Sequence, residues 1–374
     1  MKKVLIVFES RASYGYSKNL YNLLKKDKNF NLKTVVTGTH LSKELGSSIK
    51  NIRKDKIRID FKIPFLNKDF NFGIGNLIVK FSKILKKFNP DIVIIFGDRV
   101  ELMAIAISCS YNHNTLLAHV QAGDKSGHID DMTRMALSKL CHIHFPATKK
   151  AKQRLLKLGE EKNRIHLVGA PQLDDINYKY LSKTKEISIG EQKISLKKKY
   201  IVILQHPVFK DQKNYYSLFE KTLKACTKIN QKKYIIYPNY DPGYKLIIKK
   251  LNKLDKKKFS IFKNIDRQNF LTLVSNSSAL IGNSSAGILE SPSLKIGVVN
   301  IGDRQNLREQ NKNIFNAKYN VSDIHKKIIK AIRVKDKIKN IKNIHGDGKS
   351  SQRIFKVLKN IKISKNLLTK KTTY

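Results

Sequence analysis

Acidic residues are scarce in this chain: 29 Asp and Glu stand against 75 Lys and Arg, a formal net charge of +46 over 374 residues. Cysteine is scarcer and tryptophan is absent. The three cysteines, Cys109, Cys141 and Cys226, are odd in number and widely spaced. That excludes a disulfide framework and a paired-cysteine metal pattern, and it fits a reducing, cytoplasmic setting. No apolar run approaches the roughly 18 residues that a spanning helix needs, so no membrane insertion is expected. The opening MKKVLIVFESRAS turns polar at Glu9, too early for a signal-peptide core, and reads as a buried strand.

What is present points to a folded chain. Hydrophobic residues make up 41%, near the globular range, and the length suits two domains at ~100–200 residues each. The positive charge is mostly lysine in short runs along the whole chain (Lys2–Lys3, Lys86–Lys87, Lys197–Lys199, Lys256–Lys258). Such dispersal reads as a composition-wide bias. Basic patches interleaved with aromatics, which stack bases, are missing, and nucleic acid is not expected as a partner.

Apolar runs alternate with amphipathic stretches. Strands are expected at 3–8, 32–38, 91–98, 115–123, 142–147 and 165–169, with helices over 16–27, 99–111, 130–140 and 148–158. The pattern restarts with strands at 200–207, 234–239, 259–262, 279–285 and 295–302, and helices over 213–229, 243–254, 266–275, 322–333 and 349–361. The expected fold is α/β, two doubly wound Rossmann-like domains facing a cleft. The boundaries read as an N-terminal domain over 1–180, a linker over 181–199, a C-terminal domain over 200–350, and a helix and tail over 351–374. Ligands of such sheets bind outside the carboxyl ends of strands, so polar residues there carry the argument.

After the first strand, Ser10 to Gly15 form either a phosphate-cradling loop with Arg11 or a helix-capping turn. IVIIFGDRVE delivers Asp98 and Arg99 from a buried strand to a helix start, where Asp98 serves as a cap or faces the cleft. The densest group is AHVQAGDKSGHIDDMTRMALSKL: His119, Gln121, Asp124, His128, Asp130, Asp131 and Arg134. Asp130 and Arg134 are one helical turn apart and share a face, which permits a structural pair. So many ionisable groups in one loop favour a functional reading, and no metal-ligand spacing appears among them. In the second half, LIGNSSAGILE places Asn283, Ser284 and Ser285 before a helix, with Glu290 behind them able to accept hydrogen bonds from ribose. N–H groups at a helix start favour a diphosphate. LQHPV and YPN bring His206 and Asn239 to strand ends.

Taken together, GDR (97–99), HVQAGDKSGHIDD (119–131) with Arg134, LQHPV (204–208), YPN (237–239), IGNSSAG (281–287), NIGDRQ (300–305) and HGDG (345–348) resemble the hydrolysing UDP-N-acetylglucosamine 2-epimerases of nonulosonate (sialic- and legionaminic-acid-type) biosynthesis. The resemblance implies a glycosyltransferase-B-like fold, a dimer or tetramer, and no metal or nicotinamide cofactor. It implies a sugar-nucleotide substrate that is converted to nucleoside diphosphate and a free 2-epimerised N-acetylhexosamine. It also implies that Asp98 and Asp130 are catalytic carboxylates, with Arg134 near the sugar and His206 near the diphosphate. Arg11, Arg99, Asn239, Ser284, Ser285, Glu290 and Arg304 would hold the nucleotide, and His119, Gln121 and Asn283 join the substrate-binding set. Departures stand out: Gln121 and Asp124 each stand where many members have Glu, so either Asp124 or Asp130 takes over the proton transfer that Gln121 cannot make or the activity has drifted, and Ser13 replaces a usual acid. Two other readings are a sugar-nucleotide glycosyltransferase and a non-catalytic sugar-nucleotide binder, the latter favoured by Gln121.

One expectation concerns the charge itself. A strongly basic surface concentrates an anionic substrate, and salt screens that attraction within ~10 Å at 0.1 M. Apparent affinity for a sugar nucleotide should fall as ionic strength rises; a flat response in a salt titration marks the lysines as background.

Overall fold

Buried parallel strands must be apolar on both faces, and the runs VLIVF and IVIIF meet that demand: Val4–Phe8 and Ile92–Phe96 are almost wholly enclosed. The computed structural model describes the chain apart from residues 42–47, 66–68, 113, 128–129, 191, 209–213, 239–242, 264, 372 and 374, and the side chains of residues 11, 12, 70 and 336. In the first half, β1 (Lys2–Phe8), β2 (Phe30–Val36), β3 (Phe61–Lys62), β4 (Ile92–Phe96), β5 (Leu116–Val120) and β6 (Ile143–Phe145) form one sheet in the order β3-β2-β1-β4-β5-β6. Every neighbouring pair is parallel. Alternate residues serve opposite faces. Val4, Ile6 and Phe8 pack with Leu20, Leu24, Ile354 and Leu358, whereas Leu5 and Val7 pack with Leu77, Phe81, Leu102 and Ile105.

After a hairpin, β7 (Glu186–Ile189) with β8 (Gln192–Ser195), the second half repeats the plan. Its strands are β9 (Tyr200–Leu204), β10 (Lys232–Ile236), β11 (Phe259–Phe262), β12 (Ala279–Gly282), β13 (Gly297–Ile301) and β14 (Ile314–Ala317). They lie in the order β11-β10-β9-β12-β13-β14, again all parallel. Both orders are the doubly wound Rossmann order, which reverses direction between β1 and β4 and between β9 and β12; such switch points are where ligands of this fold class bind. No helix among the described residues is long and apolar enough to cross a membrane.

Several expectations are corrected. The first helix begins at Arg11, not 16, because Ser10 caps it in a reciprocal pair with Ser13; the 10–15 segment is a capping turn. Residues 165–169 are not a strand, and only Ile165 bridges His144 of β6. The segment 181–199, expected as linker, carries the end of the helix Tyr178–Lys183 and the β7–β8 hairpin. The helix Phe70–Phe88 and strands β3 and β14 are additions that periodicity did not single out.

The chain divides into two compact units. The first comprises Met1–Lys125, Ile129–Asp175 and His345–Tyr374; the second comprises Ser126–His128 and Ile176–Ile344. The C-terminal segment therefore belongs to the first unit. The helix Ser350–Asn360 docks there through Ile354 and Leu358, and its first N–H groups, of Ser350 and Ser351, donate to the Asp174 carboxylate at 2.8 and 2.6 Å. Buried Arg164 then holds the tail, donating to the carbonyls of Asn366 (3.0 Å) and Thr369 (2.9 Å) as well as Leu367. Lys370 reaches Glu160 at 2.7 Å. The carbonyls that Arg164 holds are only partly buried and water can replace the guanidinium, so Arg164→Met should lose about 1–2 kcal/mol of local stability. Amide hydrogen exchange over 365–371 should accelerate in that variant, with little change in β1 or β4.

Candidate functional site

The carboxyl edge of the first sheet collects its polar residues. After β4 the chain turns at Gly97 into Asp98 and Arg99, and Arg99 is the N-cap of the helix Val100–Ser110. The turn is held from β5: Gly97 N–H donates to the Val120 carbonyl at 3.0 Å, and His119 Nε2 donates to the Gly97 carbonyl at 2.6 Å. His119 is fully buried, and burial drives its pKa down to about 3, so it is a neutral positioning residue. Expected among the substrate-binding residues, it is enclosed here and tied to the Gly97 turn.

Arg134, on the helix Asp130–Leu140, is the centre of the cluster and is 2% exposed. Its guanidinium pairs with Asp98 and Asp131 and donates to the Asp124 backbone carbonyl at 3.1 Å. Expected near the sugar, it is enclosed by carboxylates and fixes their geometry. Asp131, which the one-turn spacing argument passed over in favour of Asp130, is a partner. Asp130 opens the helix and is half-buried, while Asp124 is buried with Oδ1 accepting from Lys125 N–H at 3.0 Å. Gln121 adopts φ +65, a conformation costing a non-glycine residue about 1 kcal/mol or more, and its amide donates to Gln172 Oε1 at 3.1 Å. Strain at a strand end marks a position over-determined by its surroundings. His128 lies outside the described residues, as does the Arg11 side chain.

Beside this group lies one that the sequence reading missed. Glu9, directly after β1, and Glu101, in the first turn after Arg99, are each 1% exposed. Arg99 grips Glu101 through Nε (3.2 Å) and Nη2 (3.1 Å). The only available signal was a carboxylate closing an apolar strand run, which composition does not separate from an ordinary loop residue.

In the second unit, the switch point lies where β9 and β12 end. Asn283, fully buried, clasps the backbone of His206, accepting from its N–H at 2.7 Å and donating to its carbonyl at 2.8 Å. Expected among the substrate contacts, it positions the His206 backbone. Gly282 makes this approach possible: at φ +141 a Cβ there would lie 1.9 Å from the Leu204 carbonyl oxygen. Tyr215, another residue missed from sequence, donates its hydroxyl to the His206 carbonyl, and burial pushes its pKa up to about 12. His206 itself is 4% exposed. Arg304 joins the group by donating to the Asn283 carbonyl at 3.3 Å. Ser284 caps the helix Ser285–Leu289, accepting from Ala286 N–H at 3.4 Å; a helix of five residues supplies N–H groups but little macrodipole. Glu290, expected to be open to ribose, is buried and accepts from Arg267 Nη1 at 2.7 Å. Asn239 lies outside the described residues. Among the described residues, no group of three His, Cys, Asp or Glu could hold a metal ion.

Comparison with known proteins shows the family to which the chain belongs. The family model described as UDP-N-acetylglucosamine 2-epimerase matches residues 22–359. The UDP-N,N'-diacetylbacillosamine 2-epimerase (hydrolyzing) of Legionella pneumophila is 33% identical over 380 residues, covering 100% of both chains. The GDP/UDP-N,N'-diacetylbacillosamine 2-epimerase (hydrolyzing) of Campylobacter jejuni is 33% identical over 338 residues, covering 86% of each. In fold, the UDP-GlcNAc 2-epimerase of Neisseria meningitidis, solved with UDP-GlcNAc, superposes with a TM-score of 0.78 at 21% identity over 96% of this chain and 100% of that one.

The depressed His119 pKa carries a pH prediction. The unfolded chain takes up a proton below the ordinary value of 6.5, whereas the folded ring resists it down to about 3. Stability is thus complete above pH 6.5 and falls with acidification across that window, by up to about 2 kcal/mol at pH 5 from this ring alone. Thermal melts of His119→Gln should show a shallower acid slope than those of the wild type.

Proposed function

Because this chain belongs to the UDP-N-acetylglucosamine 2-epimerase family, we propose that it is a hydrolysing 2-epimerase. Its substrate in this reading is a UDP- or GDP-linked N-acetylated hexose, with the N,N'-diacetylated sugar of the two relatives favoured. The observation that carries the reading is Arg134 buried between Asp98 and Asp131 at the carboxyl edge of the first sheet, beside Asp124 and Asp130. Several carboxylates around one ring position suit proton transfer at carbon.

In the proposed reaction, Asp98 or Asp130 removes the C2 proton while the nucleoside diphosphate leaves C1, giving a glycal. Water then adds its hydroxyl to C1, and a proton returns to the opposite face of C2 from the other carboxyl, with Asp124 in support. Gln121 cannot carry a proton, so its role is to hold Gln172 and shape the ring site. In the second unit His206, locked by Asn283 and Tyr215, would face the diphosphate with Ser284, Ser285 and Arg304; in the first, Arg99 would offer its charge to the nucleotide. Charge-assisted donors aimed at the leaving group stabilise the charge that develops there. The product is a free 2-epimerised sugar of the kind used for nonulosonates. The free, buried cysteines suit cytoplasmic action, and assembly as a dimer or tetramer belongs to the same reading.

The test is incubation with UDP- and GDP-linked N-acetyl and N,N'-diacetyl hexoses in deuterated water without any acceptor. Nucleoside diphosphate should be released along with free sugar inverted at C2 and deuterated there. Asp98→Asn and Asp130→Asn should slow this by about 10²–10⁴-fold each; Asp130→Asn should melt normally, whereas Asp98→Asn takes a partner from buried Arg134 and should melt lower while staying folded. Folded variants that release nucleotide at near wild-type rates would sink the assignment, and release that requires an acceptor would show a glycosyltransferase.

A further inference from the structure

At the switch point between β1 and β4, two carboxyl groups with almost no solvent contact lie near one guanidinium. Glu101 is chelated by Arg99, which donates from both Nε and Nη2. Glu9 is less well served. Its Oε1 accepts from Ser10 Oγ at 3.2 Å and its carboxyl also meets Ser13, while its Oε2 is buried with no hydrogen-bond partner among the described residues. From the turn after β2, Thr39 reaches only the Glu9 backbone carbonyl, and His40 turns to Tyr14 and Ser48. Gly38 closes the space: a Cβ there would lie 2.4 Å from the Glu9 carbonyl oxygen and 2.8 Å from Glu101 Oε1.

An ionised carboxylate with a bare, buried oxygen beside a second carboxylate is costly, and the usual escape is to keep a proton. The proton belongs on Glu9, because Glu101 already has the guanidinium. We propose that Glu9 is a positioning residue, held as the uncharged acid so that Arg99 stays anchored on Glu101 with its positive charge available to the nucleoside diphosphate, and that loss of the Glu9 proton weakens this grip. The inference rests on the epimerase reading for the identity of the anion. Burial first, then the Glu101 charge, raise Glu9 to about 7, with Ser13 and Arg99 opposing, so the proton comes off within the working pH range. The coupling is reciprocal: an anion bound at Arg99 disfavours ionisation of Glu9, and ionised Glu9 disfavours the anion by the same factor.

The test uses the full chain, wild type and Glu9→Gln, with UDP as the probe. Carbon-13 NMR of glutamate-labelled protein should show a carboxyl titrating near neutrality that is missing in Glu9→Gln and shifts to higher pH when UDP binds. By calorimetry, wild-type affinity for UDP should fall about tenfold more than that of Glu9→Gln between about pH 6 and about pH 8. The titration of UDP itself is common to both proteins and cancels. With a sugar nucleotide, the difference should fall on KM and not on kcat. Ser13→Ala, which removes a hydroxyl that favours the ionised Glu9 carboxyl, provides a second variant and should move the transition to higher pH. Equal pH slopes in wild type and Glu9→Gln, or a Glu9 carboxyl ionised throughout, overturn the proposal even if the enzyme turns over. The predicted UDP signature without any sugar-nucleotide turnover upholds Glu9 and sinks the epimerase reading.

Discussion

A parallel sheet covered on both faces has room for polar side chains only where its strands end. β4, β9 and β13 are enclosed along their whole length and β1 from Val4 onward, so the chemistry of this molecule is confined to the residues that follow them. Glu9 follows β1, Asp98 and Arg99 follow β4, Gln121 follows β5, His206 follows β9 and Asn283 follows β12. The doubly wound order then sets adjacency. It puts β1 against β4 and β9 against β12, so each switch point gathers the polar ends of two strands distant in sequence.

Once such groups are enclosed, the cost of burying charge governs their arrangement. Arg134 and Arg164 are almost wholly buried, and each is satisfied by carboxylates and backbone carbonyls. Arg99 and Arg267 hold Glu101 and Glu290 in the same way. A planar fork of donors suits these positions better than a lysine ammonium does. Most of the +46 excess is lysine at the surface, whereas the pairs that organise the strand ends are made by arginine. Neutral groups complete the scaffold. His119 ties β5 to the Gly97 turn, and Asn283 with Tyr215 locks the His206 backbone.

Much of this was legible in the sequence. Strand and helix order followed from apolar periodicity, and the acidic group around Asp98, Asp124, Asp130 and Arg134 stood out by density alone. Three kinds of feature were not legible. Capping moved the first helix back to Arg11, because Ser10 and Ser13 satisfy its orphan N–H groups whatever the periodicity of later residues. The hairpin at 186–195 is short and lysine-rich, and its buried Ile187 and Ile194 are too few to show a period. Glu9, Gln172, Tyr215 and Arg267 look like ordinary polar residues until their partners are known.

The sequence by itself determined the two α/β repeats, the strand ends on which polar chemistry falls and the family those motifs belong to, since each depends on local pattern. Only the tertiary structure decided which of those polar residues face one another. His119, Arg134, Asn283 and Glu290 carry groups that bind anions or hydroxyls in the open, yet here they are enclosed and matched to protein partners. The physical reason is that hydrogen bonds and ion pairs are set by proximity in space. Asn283 and His206, 77 residues apart, meet only because β12 lies beside β9.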